Sequence, residues 1–270
     1  MTRGESSGRF TSNHRLGRDV GPYSTRNSSK GALLGEAQAV FRKLAHGKTL
    51  NDLRVASLEG VLLPRQARET RNRIWDALHW RFFAWNPPGW VLADISEAAC
   101  GEVTDPTFVG LVYVHYARRD RLTFDFVTED LWPRWRRKNR EVGRADVTDF
   151  LAVHADGQWA AWRESTRLKL AGNVLTALRD FGLLSGVQRK VLQRPVVPPE
   201  VVLHVCRLLN AGGLRGRGLL EACDWRLFLW DTPDVAQALA GLAQRGEIRF
   251  ERSGRTVVLE VPPHPMEAAE

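Results

Sequence analysis

Apolar and polar residues follow a helical period through most of the chain. The first clear instance covers 32–47, where apolar residues recur every three or four positions. This pattern predicts a buried helix face made of Leu33, Leu34, Ala37, Val40, Phe41 and Leu44. Gly47 is placed to end that helix. Thr49 and Asp52 then resemble a capping box, with Asp in place of Glu, at the start of a shorter helix that Gly60 ends.

A third, more basic helix follows. Pro64 stands at a favoured first helical position, the pattern continues to about Trp85, and WNPPGW (85–90) stops it. Three helices joined by tight turns, with the longest and most basic one third, follow the order of a helix-turn-helix unit. In such units a later helix enters the major groove of DNA. We therefore predict a helix-turn-helix-like N-terminal domain over residues 31–90.

The stretch LLPRQARETRNRIW, at 62–75, gives this third helix a polar face. Its side chains that we predict to bind DNA are Arg65, Gln66, Arg68, Asn72 and Arg73. Arginine suits guanine or phosphate, amides suit adenine, and a helix N-terminus itself favours an anion. Arg71 falls toward the apolar side, so we expect it to snorkel or to pair with an acid. The alternative is a merely solvated surface, because Glu69 and Asp76 share the polar face and could pair with the arginines.

Residues 91–195 are predicted to form a helical middle region, rich in tryptophan, before the rigid linker RPVVPPE (194–200). Within this region WPRWRRKNR mixes Trp132 and Trp135 with five basic residues. Such rings either stack on nucleic-acid bases or pack in the core while the neighbouring arginines stay in water. The sequence leaves both alternatives open.

The segment 196–262 predicts a winged helix, and 263–270 a short tail. Two amphipathic helices, PPEVVLHVCRLLNAGG and DTPDVAQALAGLAQRG, flank the shorter RGRGLLEAC. In EIRFERSGRTVVLEV apolar residues alternate with polar ones around the turn RSGR, which is typical of one β-hairpin. Arg249, Arg252 and Arg255 lie on its polar face and tip, and we predict that they bind DNA phosphates. Use of the wing as a protein–protein module is the alternative.

Charge supports a polyanionic partner without identifying it. The chain has 39 Lys and Arg against 31 Asp and Glu, a formal charge of +8. Residues 1–30 are rich in Ser, Gly and Arg and show no period, so we predict a disordered basic arm. The arm is either a solvated tail without function or a segment that follows phosphates.

Several functional classes are disfavoured. No apolar run approaches the roughly 18–20 residues of a membrane helix, and three cysteines suggest no disulfide framework. We therefore expect a soluble, cytoplasmic protein. HGKT, at 46–49, imitates the end of a phosphate-binding loop, but Arg42 replaces the required glycine. Because no zinc spacing or activated nucleophile is found, we predict no catalytic residue, no metal, no cofactor and no enzymatic activity.

Three stretches, in order, resemble the BrxA family of bacteriophage-exclusion (BREX) defence systems. They are YSTRNSSKGALLGEAQAVFRKLAHG, LLPRQARETRNRIWDAL, and WAAWRESTRLKLAGNVLTALRDFGLL followed by VVPPEVV, together covering most of residues 23–210. The resemblance implies a non-enzymatic DNA-binding component of an antiviral system, which gives phage resistance together with a methyltransferase, an ATPase and a phosphatase-like protein. It carries no specific site residue across.

Two hypotheses remain open. In the first, one or both helix-turn-helix units bind duplex DNA, mainly at phosphates, and position partner proteins. In the second, the protein is a helical adaptor or scaffold whose basic faces meet acidic partner proteins without touching DNA. The arginines on both predicted units favour the first.

Overall fold

The structure is a computed structural model that describes residues 16–28, 30–64, 67–155, 157–254 and 256–267. It is mainly α-helical with a few short antiparallel strands, as the sequence predicts. The buried hydrophobic side chains form one contiguous cluster that extends from Tyr23 to Val261. The predicted division into domains 31–90, 91–195 and 196–262, with a tail at 263–270, stays a prediction.

The first three helices are α1 (Leu34–Ala45), α2 (Leu50–Glu59) and α3 (Arg68–Phe82). The capping box of α2 is confirmed, since the Asp52 amide donates to Thr49 Oγ1 at 3.2 Å and the Thr49 amide donates to Asp52 Oδ2 at 3.0 Å. Gly60, with φ of 86°, ends α2 as predicted.

The predicted bounds of α3 were wrong. The helix begins at Arg68, four residues after Pro64, and ends at Phe82 rather than near Trp85. Leu62 and Leu63 are buried, so the link from α2 is held against the core before the helix starts. Ala67 is extended and occupies the N-cap position. Local propensity favours an earlier start, but burial of the link overrides it.

Helix α4 (Gly89–Ala98) leads to α5 (Pro106–Arg119), which lies at the centre of the molecule. Ten of the residues of α5 are buried, so protein surrounds it on every side. Asp105 caps α5 by accepting the Thr107 amide at 2.8 Å. Helix α6 (Arg121–Asp125), a π-helical segment (Phe126–Leu131) and helix α7 (Trp132–Arg136) continue directly from one another.

The rest of the middle region contains α8 (Arg144–His154), α9 (Gln158–Ala161) and α10 (Glu164–Asp180). The expectation of an all-helical middle was wrong, because three short strands form an antiparallel sheet. They are β1 (Glu141–Val142), β2 (Leu184–Ser185) and β3 (Lys190–Leu192), with β3 in the centre. Strands of two or three residues are too short to show the alternation that would predict them. Gly186 turns the chain between β2 and β3 with φ of 83°.

The C-terminal segment contains α11 (Pro199–Ala211), α12 (Gly216–Leu220), a 3-10 helix (Cys223–Phe228) and α13 (Thr232–Gln244). A hairpin of β4 (Arg249–Ser253) and β5 (Thr256–Glu260) follows, as the sequence predicts. Phe250 faces Leu259 across the hairpin. The apolar positions pack inward, because β4 contacts α13 and β5 contacts α12.

The N-terminal arm departs from the prediction of disorder. Residues 16–28 form a strap: Arg18 lies against Phe124 of α6, the Asp19 amide donates to the Arg118 carbonyl at 2.8 Å, and the 3-10 turn Arg26–Ser28 packs on α10. Residues 1–15 and 29 lie outside the described residues. Within the strap, Tyr23 is buried and donates to Asp125 Oδ2 at 3.0 Å. Asn27 is buried and accepts from Arg81 at 2.7 Å. The strap is ordered by polar partners far away in sequence, which a search for periodicity does not detect.

Two polar connections are buried near the C-terminal end of α5. Arg118 forms an ion pair with Asp224, and the two side chains are only 3% and 8% exposed. His115 Nε2 lies 2.9 Å from His204 Nε2, and His204 Nδ1 lies 2.6 Å from Asp94 Oδ2. Burial works against ionising Asp94, but the hydrogen bond from His204 and nearby positive charges lower its pKa overall. With Asp94 ionised, His204 donates to it through Nδ1 and accepts from His115 through Nε2.

We expect acidification to destabilise the protein through these histidines. Burial lowers the pKa of His115 well below 6.5, and burial also lowers that of His204. Folding therefore favours the neutral form of each histidine. Their contribution to the free energy of unfolding is fully present above about pH 6.5 and is lost as pH falls toward the folded-state pKa values. The slope should reach about 1.4 kcal/mol per pH unit for each histidine. Urea unfolding at about pH 7.5, 6.5 and 5.5 tests this. The variant H46A, changed at an exposed histidine, should keep the pH dependence, and constant stability across the range would contradict the assignment.

We expect loss of the buried ion pair to be costly. The change Arg118→Met leaves Asp224 buried without its partner, so the free energy of unfolding should fall by about 3–5 kcal/mol. The matched control is Arg217→Met, which breaks an exposed pair with Glu221 and should cost less than about 1 kcal/mol. Chemical denaturation measures both. Equal losses in the two variants would show that the buried pair has no special role.

Candidate nucleic-acid interface

The predicted DNA-binding face of α3 is only partly described. Arg65 and Gln66 lie outside the described residues. Arg68 is exposed at the first position of α3, and Asn72 is half-buried one turn later. Arg73 is exposed but pairs with Glu69 at 3.0 Å, as in the alternative of a solvated surface. Among the described residues of this face, Arg68 is the cation best placed for an anionic partner.

Arg71 turns toward the protein, as predicted. Its Nε donates to the backbone carbonyl of Leu58 at 2.9 Å, near the C-terminus of α2. Carbonyl groups at a helix C-terminus carry partial negative charge, which favours a cation. Arg71 therefore connects α2 with α3 through this bond to a backbone carbonyl.

The arginines of the hairpin differ in their surroundings. Arg249 contacts Glu251 at 2.9 Å and Glu260 at 3.4 Å, and the hydrogen bond with Glu251 raises its pKa. Arg252 is exposed on β4, whereas Arg255 lies outside the described residues. Helix α13, which precedes the hairpin, has Asp234 as its one charged residue. The described part of the hairpin unit thus offers little unpaired positive charge.

Arginines cover the two tryptophans of α7. The guanidinium of Arg226 lies 4.3 Å from the centre of the Trp132 ring, and that of Arg140 lies 3.4 Å from the centre of the Trp135 ring. Arg136 and Arg194 approach the same two rings at 5.4 and 5.5 Å. Both rings are half-buried. These contacts favour the alternative in which the rings pack within the protein, because cation–π partners already occupy them.

The same cluster fixes α7 to the start of α13. Arg194 forms two hydrogen bonds with Asp234, at 2.9 and 2.6 Å. Trp132 Nε1 donates to the carbonyl of Trp230 at 2.8 Å. Side chains from the middle and C-terminal regions therefore interlock, and α7 has a rigid support.

Beyond this support the chain presents a concentrated group of cations, residues 136–140, which we call the α7 basic loop. Its four cations are Arg136, Arg137, Lys138 and Arg140. Arg136 lies 3.8 Å from Asp231, a weak pairing. Arg137 and Lys138 are exposed, and within the described part of the chain no carboxylate lies within ion-pairing distance of either. This run is visible in the sequence, but we did not predict it as a DNA-binding site, because the tryptophans beside it are explained equally by core packing.

Other kinds of site find no support in the described ranges. No helix there is long and apolar enough to span a bilayer. No group of three or more His, Cys, Asp or Glu side chains there is arranged to hold a metal ion.

We expect Arg71 to stabilise the packing of α2 against α3. Arg71→Ala removes a charged hydrogen bond between α2 and α3, so we expect the free energy of unfolding to fall by about 1–3 kcal/mol. Arg68→Ala, at an exposed position on the same helix, is the control and should change it by less than about 0.5 kcal/mol. Chemical denaturation of both variants measures the difference. If Arg68→Ala costs more, the orientation of α3 described above is wrong.

Comparison with known proteins identifies the family. No curated protein matches the chain at a significant level. A crystal structure of an uncharacterized protein from Magnetospirillum magneticum is similar in fold, with a TM-score of 0.57 and 18% sequence identity, covering 78% of this chain and all of that one. At that identity the likeness concerns the fold alone. The family model described as BrxA matches residues 21–207, well over half of the chain. The chain therefore belongs to the BrxA family, which implies a protein associated with BREX phage defence.

Proposed function

We propose that the protein is a non-enzymatic DNA-binding component of a BREX system. In this proposal it contacts duplex DNA mainly through phosphates and positions partner proteins of the system, such as its methyltransferase, ATPase and phosphatase-like protein. We assign it no catalytic step, because its sequence contains no phosphate-binding loop and no arrangement of a nucleophile with a base.

The observation that carries the proposal is the α7 basic loop. Arg137 and Lys138 are exposed and have no carboxylate partner among the described residues, so binding phosphate would not require breaking an ion pair. The arginine–tryptophan cluster holds the loop on a rigid base, which reduces the entropy lost on binding. Arginine and lysine side chains are the usual partners of phosphate oxygens at protein–DNA interfaces.

Two further surfaces belong to the proposal. On α3, Arg68 and Asn72 remain candidates, together with Arg65 and Gln66, which lie outside the described residues. In the C-terminal segment, α11, α12 and α13 followed by one hairpin have the order of a winged helix. There we assign Arg252 and Arg255 a supporting role as a phosphate clamp. Base reading by α13 is not part of the proposal, because that helix contains no Lys or Arg.

A paired charge reversal tests which surface is dominant. The loop variant R137E/K138E and the hairpin variant R252E/R255E change the net charge by the same amount. We expect the loop variant to lose more affinity for duplex DNA, because its cations are the more concentrated. If two phosphate contacts are lost, the slope of log K against log salt should become shallower by about 1.8. Gel shifts on unrelated duplexes across a salt series measure both quantities, with melting curves to show that each variant is folded.

The outcomes distinguish the surfaces. A larger loss in the hairpin variant would move the principal contact to the wing. Wild-type binding that is absent at low salt, or that does not respond to salt, would contradict DNA binding altogether.

The second candidate is a helical adaptor without direct DNA contact. It is favoured by the hairpin unit, where Arg249 is paired with two glutamates and α13 is nearly uncharged. Such a surface suits a protein partner better than a polyanion. Under this candidate the wild type does not bind DNA, and R137E/K138E does not bind it either. The variant should instead associate more weakly with an acidic BREX component in co-purification.

A further inference from the structure

A small basic pocket lies between the start of α8 and the outer face of α10. It has a volume of about 290 Å³. The residues that line it are Arg144, Leu168, Lys169, Gly172, Asn173 and Thr176. All of these except Arg144 belong to α10, where the five residues recur at spacings of three and four and so share one face of the helix. We call this the α8–α10 pocket.

The charge of the pocket is entirely positive. Arg144 and Lys169 are both exposed, and no carboxylate is among the lining residues. The nearest acid in sequence, Asp146, is engaged elsewhere, because it accepts the Gly143 amide at 2.7 Å and pairs with Arg134 at 2.7 Å. Arg144 is also the first residue of the eleven-residue helix α8, whose N-terminal end favours an anion. The two cations and the N-terminal end of α8 thus all attract an anion.

Gly172 explains how the pocket stays open. Glycine is among the least favourable residues inside a helix, yet it stands in the middle of α10. An ideal Cβ at this position would lie 3.3 Å from Arg144 Nε, closer than an ordinary contact. The missing side chain lets the guanidinium of Arg144 lie across α10, close to Lys169. The hydroxyl of Thr176, also in the lining, donates to the carbonyl of Gly172 at 2.8 Å.

We propose that the α8–α10 pocket binds a phosphate group, which Arg144 holds through its planar fork of donors and Lys169 as a point charge. The phosphate comes either from a nucleic-acid backbone or from a free phosphorylated molecule. The inference is independent of the α7 basic loop and of DNA binding by the protein.

Thermal melting of the full chain in sodium phosphate, compared with sodium chloride at equal ionic strength, is the first test. Phosphate at roughly ten times its dissociation constant should raise the wild-type Tm by about 2–4 °C beyond chloride. The variant R144A/K169A should lose this difference. The matched control K48A/R217A also removes one exposed Lys and one exposed Arg, at positions outside the pocket, and should retain it.

Gly172→Ala tests the geometry without altering charge. The added Cβ displaces the guanidinium of Arg144, so the phosphate-dependent rise in Tm should shrink or vanish. In chloride the variant should be at least as stable as the wild type, because alanine favours the helix. A full phosphate response in both G172A and R144A/K169A would overturn the proposal, as would a wild-type protein that responds to phosphate no more than to chloride.

A DNA-binding measurement in phosphate-free buffer then identifies the source of the phosphate. If the pocket takes the nucleic-acid backbone, R144A/K169A should bind duplex DNA at least about tenfold more weakly than K48A/R217A. Equal binding by the two variants assigns the pocket to a free phosphorylated molecule. If the wild type does not bind DNA, the proposed function fails while the melting result still decides the pocket.

Discussion

Burial of helix α5 on every side is the constraint on which the rest of the fold depends. The Arg118 guanidinium and the His115 imidazole near its C-terminal end are buried, and leaving either without a partner inside the protein would be costly. Arg118 finds Asp224 in the C-terminal segment and the carbonyl of Leu16 in the N-terminal strap. His115 finds His204 on α11. Segments from both ends of the chain therefore meet at one helix, and the strap is ordered although its own sequence has no period.

This arrangement also changes what the net charge means. The net charge of +8 includes arginines whose side chains are used inside the protein. Arg81 and Arg118 are buried, and Arg18 lies against Phe124. These residues hold segments together and are not available to an external polyanion. A count of basic residues therefore overstates the binding surface. For the proposed contact with DNA, the relevant cations are those that the interior does not use, above all Arg137 and Lys138.

Local signals explain which parts of the structure could be predicted. The capping box at Thr49, the end of α2 at Gly60 and the hairpin around Gly254 each depend on residues a few positions apart. The inward turn of Arg71 follows from helical periodicity alone. The start of α3, the sheet around β3 and the ordered strap depend on partners far away in sequence. The candidate site belongs to this second class, because whether Trp132 and Trp135 are free to stack is decided by Arg194 and Arg226, from other parts of the chain.

The occupied tryptophan rings favour one mode of nucleic-acid recognition over another. For a base to stack on Trp135, Arg140 would have to leave its position 3.4 Å from the ring centre, which gives up a cation–π contact. Phosphates require no such displacement, so the surface suits contacts with the backbone that are independent of base sequence.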